Sequence, residues 1–518
     1  MLAWLRSLVS SSRAYPARAV AALSAGVFAL GSVWAVVRGS TLEYLDEREF
    51  STLGHNLATT GSYTLDGVNP TAFRPPLWPF LLSLGDLIGI GVVGSRILSV
   101  ACLALTVIVV YRLGRRIGGV DAGLVAALLV AVYPLMLYTS TTLYPEALAL
   151  LVVSVGLWAV VEAGLEPTRS GRIVTWSALA GASFGALVLT SPGHIVVAAP
   201  AAAWLLWRHR SRVGLASLAV LVVVAVAAPA AWGIRNHARL GSFVPFSTNG
   251  GQNLLLGNNP GATGGSGVNV DLSEYDRVID DRGLDEVEAD RYRRSTAVAW
   301  IADNPGRATT LYGQKLLNFF SFRNELATGG QRSLAVDAIS AVSYYGLLAL
   351  FALRLLAWRR IPLLRGEGLL SATYVVYAVA SAVFFTRIRF RMPVDQLLMI
   401  VVACGFARWV AIRRGDRSEP VHDAGAEAKP AIGVTPGATV REPPRTAPSA
   451  PSLLLALTRA SRGVNRERNT QPMPRAGVTR TPPEPTGSFD RWFGSRSSFR
   501  RWPRVVDRLP ITTCPITS

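Results

Sequence analysis

The chain has 518 residues, of which 50% are hydrophobic and 16% charged, and its mean hydropathy is +0.33. An average soluble domain carries about 25% charged residues, so this composition argues against a soluble enzyme. Apolar runs of roughly 18 to 22 residues recur along the chain, and each is long enough to cross a hydrocarbon core as a helix. The composition therefore predicts an all-α polytopic membrane protein with about 10 to 11 transmembrane helices.

The chain is strongly basic, with a formal net charge of +19 and an isoelectric point near 10.6. Its arginines concentrate in short loops between apolar runs, where they face anionic lipid in membrane proteins. Such loops form no continuous basic stripe, so nucleic acid is not expected as a partner. Three cysteines, Cys102, Cys404 and Cys514, predict neither a disulfide framework nor a cysteine metal site.

The basic residues also predict the topology. The basic segment 1–18 is expected in the cytoplasm, and the arginine clusters that follow later apolar runs then share that side. If all these arginine clusters lie on the same side of the membrane, residues 75–90 cannot span it. This apolar but short segment is therefore predicted to lie in the outer interface. Ten spans are predicted, at residues 19–38, 96–113, 121–140, 146–164, 173–191, 194–207, 213–233, 336–357, 368–386 and 393–412.

Two outer loops carry most of the acidic residues. The first (39–95) is expected to hold interfacial helices, and the large one (235–335) a small folded elaboration with an amphipathic helix from about residue 284 to 303. Together with the spans they form a predicted membrane domain at 19–412. The segment 413–518 holds about half of the chain's 31 prolines and is expected to be a disordered, basic cytoplasmic tail.

Short recognisable stretches lie in or near the predicted outer parts of the chain, at residues 44–50, 57–58, 61–63, 73–79, 133–134, 144–146, 232–236, 241, 247–253, 257–260 and 387–393. In their order and spacing they resemble lipid-linked-sugar glycosyltransferases of the GT-C fold, in the family of dolichyl-phosphate-mannose protein mannosyltransferases and aminoarabinose transferases. The resemblance covers about residues 15–412.

Three acidic residues become catalytic candidates through this resemblance. Asp46 matches the position that the family uses as base, with Glu47 beside it, and Glu146 follows in the second outer loop. Transfer of a sugar to a hydroxyl needs such a carboxylate to take the proton, and partial desolvation would raise its pKa. Alternatively, Asp46 or Glu47 caps a helix or pairs with Arg48, and Glu146 caps the span that it begins. Glu49 is expected to be dispensable.

Positive residues are the candidates for binding the donor phosphate. Arg387, Arg389 and Arg391 alternate along one segment that resembles the family's last outer turn, with Arg235 and Lys315 as weaker candidates. Their alternative partners are the acidic outer loops. Arg74 is a weaker candidate again.

Polar side chains in the large outer loop are candidates for contacts with the sugar or the acceptor. They are Asn236, Asn249, Asn253 and Asn258. Alternatively, these glycine- and asparagine-rich sequences only form turns, in which both residue types are common. Cofactors stay unknown; a divalent metal ion is possible, with Asp46, Glu146 and His55 as candidate ligands.

The resemblance implies an integral membrane enzyme that transfers a hexosyl or pentosyl group from a polyprenyl-phosphate sugar to a glycan, lipid or protein hydroxyl. It would lie in the bacterial inner membrane among membrane lipids, with its active site outside. The alternatives are a transporter or flippase, or a polymerase, of lipid-linked glycans. A transporter would need paired charges within its spans, and the predicted spans are nearly free of charge.

Overall fold

The computed structural model describes residues 13–167, 171–323 and 333–414. The predicted tail and most of the predicted cytoplasmic N-terminus lie outside these residues. The described chain consists of α-helices, two short 3₁₀ helices and their connections, with one isolated β-bridge. The α-helices are Pro16–Arg38, Leu45–Thr60, Leu77–Leu87, Gly91–Val132, Pro134–Ser140, Glu146–Leu165, Arg172–Thr190, Ala198–Arg208, Arg212–Leu240, Gly250–Gly257, Ser273–Arg282, Glu286–Asp303, Pro305–Phe319, Leu334–Leu356, Arg365–Ser381 and Ile388–Arg413.

Seven of the described helices are long and apolar enough to cross a membrane, which confirms a multi-pass membrane protein. One of them, Gly91–Val132, would be about 63 Å long, twice the thickness of a hydrocarbon core. Its helical geometry breaks at Gly119, which has a φ of +88° that glycine adopts without steric cost. This helix therefore provides two of the predicted spans.

Three further apolar segments predicted from the sequence form shorter helices. The predicted span at 368–386 is the 17-residue helix Arg365–Ser381, and the one at 194–207 is the 3₁₀ helix Pro192–Val197 followed by the 11-residue helix Ala198–Arg208. Residues 75–90 contain the helix Leu77–Leu87. Eleven residues span about 16 Å, roughly half of a hydrocarbon core, so this helix is too short to cross by itself.

The largest hydrophobic core lies around three helices, Gly91–Val132, Glu146–Leu165 and Ile388–Arg413. The last of these, which we call the last helix, is buried along most of its length. It packs closely on the long helix, since a Cβ added to Gly118 would lie 2.7 Å from Sγ of Cys404. This burial fixes the start of the last helix, where the predicted arginine segment lies.

The expectation that the spans are nearly free of charge is wrong in two places. Arg391 pairs with Asp395 within the last helix, and Arg354 pairs with Glu367 between two neighbouring helices. All four side chains are buried. Each arginine also donates to backbone carbonyl groups, so both guanidinium groups have partners inside the protein.

The described part of the large loop (235–335) forms a series of helices, and the helix predicted from about residue 284 to 303 is observed as Glu286–Asp303. Glu286, at its start, accepts hydrogen bonds from the Thr71 hydroxyl at 2.5 Å and the Ala72 amide at 2.8 Å. The Thr248 hydroxyl donates to the same carboxylate. The large loop is thereby attached to the first loop (39–95) beside Arg74.

Candidate active site

A cavity of about 700 Å³ lies among the helix Leu45–Thr60, the start of Glu146–Leu165, the large loop and the start of the last helix. We call Leu45–Thr60 the first-loop helix. The cavity size is that of a small-molecule site. Aromatic and aliphatic side chains form much of the wall. The charged residues that line it are Asp46, Glu49, Arg74, Glu146, Arg294, Arg387, Arg389 and Arg391.

Asp46 lies in the first turn of the first-loop helix and is held by two arginines. Arg74 Nη2 donates to its Oδ1 at 2.6 Å, and Arg389 Nη2 donates to its Oδ2. Burial raises the pKa of Asp46, but Arg389 and Arg74 together lower it by more, so that its pKa lies well below the usual value. The expectation that desolvation would raise the pKa of Asp46 overall is therefore wrong.

Arg389 connects the last helix to the other parts of the cavity. Besides Asp46, its Nε lies 3.6 Å from Oε1 of Glu146, and its guanidinium group lies over the Tyr144 ring at 4.2 Å. The next residue, Phe390, is fixed through its carbonyl oxygen, which accepts a hydrogen bond from the Tyr377 hydroxyl at 2.8 Å. Nε2 of His194 lies 2.9 Å from that oxygen. Tyr377 belongs to the cavity wall although no sequence pattern predicts it there, and Tyr144 and His194 line the same cavity.

Glu49, expected to be dispensable, also lies in the cavity. Its Oε2 accepts a hydrogen bond from Arg74 Nε at 2.6 Å, and Arg74 Nη2 lies 2.5 Å from the same oxygen as an ion pair. Burial raises the pKa of Glu49 against the opposing effect of Arg74. Residues three apart on a helix share a face, and the helix therefore brings Glu49 beside Asp46. The amphipathic phase of residues 45–60 was the signal that could have placed it there.

Glu47 points away from the cavity, because adjacent residues on a helix lie about 100° apart. It is fully buried, and its Oε1 accepts hydrogen bonds from Arg96 Nη1 at 3.0 Å and from the Leu143 amide at 2.9 Å. Its Oε2 accepts from the amides of Glu43 and Tyr44. The prediction of Glu47 as catalytic is wrong: it caps the helix, and its partner is Arg96 instead of Arg48.

Glu146 begins its membrane-spanning helix at the cavity wall, where its carboxylate is buried. Its Oε1 faces Arg389, and its Oε2 has no hydrogen-bond partner among the described residues. A buried carboxylate without a full set of partners is costly in a protein interior. Its place in the cavity agrees with the prediction, and its chemical role remains a proposal.

The three arginines of the segment 387–391 separate in space. The last helix begins at Ile388, and residues two apart on a helix point roughly 200° apart. Arg389 therefore faces Asp46, whereas Arg391 is 1% exposed and pairs with Asp395 at 3.0 Å. Arg391 Nη1 also donates to the carbonyl oxygens of Phe319 and Ser321. Although Arg391 borders the cavity, its guanidinium group is occupied, which contradicts its predicted role in binding phosphate.

Arg387 precedes the last helix in extended backbone and remains at the cavity. Its Nε donates to the carbonyl oxygen of Ser266 at 2.8 Å, and its guanidinium lies over the Phe385 ring. No carboxylate of the described residues lies within ion-pair distance of it. Burial, together with the neighbouring Arg389, lowers the pKa of Arg387 to about 10. Its charge is thus available to an anionic ligand.

The two weaker candidates for phosphate binding have structural roles instead. Arg235 donates to the carbonyl oxygens of Thr71, at 2.8 Å, and Tyr63. Lys315 is buried and donates to Asn258 Oδ1 at 3.0 Å and to the carbonyl oxygen of Val383. Burial lowers the pKa of Lys315 to about 8. Neither residue lines the cavity, so both predictions are wrong.

Of the four predicted asparagines, two line the cavity and two do not. Asn249 and Asn253 line the cavity on the large-loop side. Asn236 and Asn258 are buried elsewhere, where they donate to the carbonyl oxygens of Val244 and Val383. Contact of Asn236 or Asn258 with a sugar is therefore contradicted, while Asn249 and Asn253 remain candidates.

The metal candidates do not come together. His55 lies 3.6 Å from Asp86, and its side chain is 64% exposed, away from the cavity. Both oxygens of Asp46 already accept from arginines. The described residues include no group of three His, Cys, Asp or Glu side chains that could hold a metal ion. The residues present do not fit the divalent metal site that the sequence left open.

Comparison with known proteins agrees with the resemblance seen in the sequence. The family described as dolichyl-phosphate-mannose-protein mannosyltransferase matches residues 73–232, which include Arg74 and Glu146. The chain is 32% identical over 183 residues to the undecaprenyl phosphate-alpha-4-amino-4-deoxy-L-arabinose arabinosyl transferase of Pseudomonas paraeruginosa (strain DSM 24068 / PA7). This match covers 33% of this chain and 32% of the relative, so the chain matches about a third of that protein's length.

Solved structures show weaker overall similarity. ArnT from Cupriavidus metallidurans bound to undecaprenyl phosphate is 15% identical, with 77% of this chain and 81% of that chain covered and a TM-score of 0.36. The oligosaccharyltransferase AglB from Archaeoglobus fulgidus, in complex with an inhibitory peptide and a dolichol-phosphate, is 13% identical. That comparison covers 76% of this chain and 51% of AglB, with a TM-score of 0.39.

Proposed function

We propose that this chain is an integral membrane glycosyltransferase that moves a sugar from a polyprenyl-phosphate donor to a hydroxyl group of a glycan, lipid or protein. The observation that carries the proposal is the cavity, in which Arg389 and Arg74 lie beside the carboxylates of Asp46, Glu49 and Glu146. Such a reaction needs positive groups at the departing phosphate and a carboxylate at the acceptor hydroxyl. The family match includes two of these residues.

Within this proposal the donor phosphate lies against Arg387 and Arg389. Arg387 has no carboxylate partner among the described residues, and Arg389 can exchange part of its contact with Asp46 for a phosphate oxygen. Guanidinium groups bind phosphate through paired hydrogen bonds. The apolar wall near Ile195, Phe246 and Phe384 supplies a surface for the start of the lipid chain.

We also propose that the cavity faces the exterior of the cell. The helix Glu146–Leu165 and the last helix both begin at the cavity, and at their other ends the chain continues into arginine clusters. Since basic loops favour the cytoplasm, the cavity belongs on the opposite side. Reporter fusions at Arg116 and Arg360 should be cytoplasmic, and fusions at Asp66 and Asp281 periplasmic. A periplasmic signal at Arg116 would contradict this orientation.

The proposed activity is tested with membranes that contain the protein and radiolabelled polyprenyl-phosphate sugars, both hexosyl and pentosyl. Label should move from the donor to a lipid, glycan or protein fraction, each counted separately. Membranes from the same host without the protein give the background. If correctly inserted protein transfers no sugar from any of these donors, the proposed function is wrong.

A further inference from the structure

The three carboxylates of the cavity differ in how fully their oxygens are bound. Each oxygen of Asp46 accepts from a different arginine. Glu146 faces Arg389 on one side, and its other oxygen is buried without accessible surface. Glu49 binds Arg74 through Oε2 alone, and the described residues provide no hydrogen bond to its Oε1.

Glu49 is also accessible from the cavity. Its side chain is 19% exposed and belongs to the cavity wall. Both contacts from Arg74 go to Oε2, and they leave Oε1 without a hydrogen-bond partner among the described residues. A hydroxyl group that enters the cavity can therefore reach Oε1 of Glu49 without displacing an arginine.

We infer that Glu49 is the general base of the proposed transfer, and that Asp46 positions Arg74 and Arg389. This inference rests on the proposed function. Oε1 of Glu49 takes the proton of the acceptor hydroxyl while the acceptor oxygen forms a bond to the anomeric carbon of the donor. The bond between that carbon and the phosphate oxygen breaks, and its electron pair leaves with the polyprenyl phosphate, beside Arg389.

The electrostatic surroundings of Glu49 support this role. The charged groups that face it are Arg74, from the end of the first loop, and Asp46 on its own helix. Burial raises the pKa of Glu49, Arg74 lowers it, and the charge of Asp46 raises it again, with a net rise above the usual value. A base with a higher pKa takes a proton more readily, provided that it is ionised at the working pH.

The kinetic test compares Glu49→Gln with Asp46→Asn and with the control Glu43→Gln. Glutamine keeps an oxygen for Arg74 but cannot take the proton, so kcat should fall by about 100-fold or more. In the wild-type protein, kcat should fall as the pH drops through the pKa of Glu49. Glu49→Gln should lose this acid limb, Glu49→Asp should restore part of kcat, and Asp46→Asn should keep the limb. Glu43 is exposed and pairs with Arg38 outside the cavity, so its variant should behave as wild type.

A second measurement does not depend on activity. Dicyclohexylcarbodiimide is apolar and reacts with protonated carboxyl groups, and the modified residue is identified by peptide mass spectrometry. At mildly acidic pH, Glu49 should be modified and Asp46 should not. Modification of Asp46 instead of Glu49, or full turnover of Glu49→Gln, would overturn the inference. If the wild-type protein itself transfers no sugar, the proposed function fails, which is a different result from full turnover in the variant.

Discussion

The cavity and the membrane-embedded interior both contain arginine–carboxylate pairs, yet the pairs differ in what they leave available. In the interior, Arg391–Asp395 and Arg354–Glu367 are buried, and each arginine also binds backbone carbonyls. In the cavity, Oε1 of Glu49 has no hydrogen-bond partner among the described residues, and Arg387 has no carboxylate partner among them. Burial of charged groups is thus common to the interior and the cavity. The cavity differs because some of its charged groups lack a partner and line open space.

The largest effect is expected for Arg391→Met, which leaves Asp395 buried without its partner. Breaking a buried pair on one side costs about 3–5 kcal/mol, so the free energy of unfolding should fall by that amount. The measurement is reversible unfolding of the purified protein in detergent. The double variant Arg391→Met with Asp395→Leu should recover most of the stability. If the single variant is as stable as the wild-type protein, the Arg391–Asp395 pair does not stabilise the fold.

Arg389→Ala is the matching change in the cavity, and its effect should appear in transfer instead of stability. Removal of one group that stabilises the departing charge lowers the rate by about 10²–10³. The KM for the donor should also rise, because Arg389 is a proposed phosphate partner. Steady-state kinetics measure both values. Unchanged kinetics in folded protein would remove Arg389 from the site.

Asp46→Asn should have a smaller effect, of about tenfold, because Asp46 is proposed to hold arginines and not to take a proton. Asparagine keeps one oxygen for Arg74 or Arg389 but loses the charge that holds both, at a cost of about 1.4 kcal/mol for a tenfold change. The loss should appear mainly in the KM for the donor. A fall of 100-fold or more in kcat, with loss of the acid limb of the pH profile, would return the base to Asp46.

Much of the fold was predictable because apolar length and arginine distribution act over whole segments. Helices were expected to begin at Glu146 and to cover about residues 284–303, and both helices are observed. The short apolar run at residues 75–90 is likewise observed as a short helix, Leu77–Leu87, and its place in the outer interface stays a prediction from the arginine distribution. These features depend on many residues at once, so single side chains hardly change them.

The site was harder to predict because helical phase decides which neighbours face the cavity. Asp46, Glu47 and Glu49 lie within four residues, yet Glu47 turns to Arg96 while Glu49 joins Asp46. Arg389 and Arg391 separate for the same reason. Partners from distant segments, such as Asp395 or Arg96, cannot be assigned from one sequence. Spacing alone therefore predicts segments that border the cavity, and it does not decide which of their side chains face it.

The smallest effect is expected for His55→Ala, which tests whether an exposed side chain outside the cavity contributes at all. His55 lies on the same first-loop helix as Asp46 and Glu49, but its ring lies near Asp86 and is mostly exposed to solvent. Exposed pairs of this kind contribute about 0–1 kcal/mol, so turnover should change by less than about fivefold. The variant and the wild-type protein should also respond identically to a chelator and to added divalent cations. Selective loss of a cation-dependent activity in His55→Ala would show that His55 reaches the reacting groups. A residue outside the cavity would then contribute to transfer, contrary to the distinction drawn between the cavity and the rest of the protein.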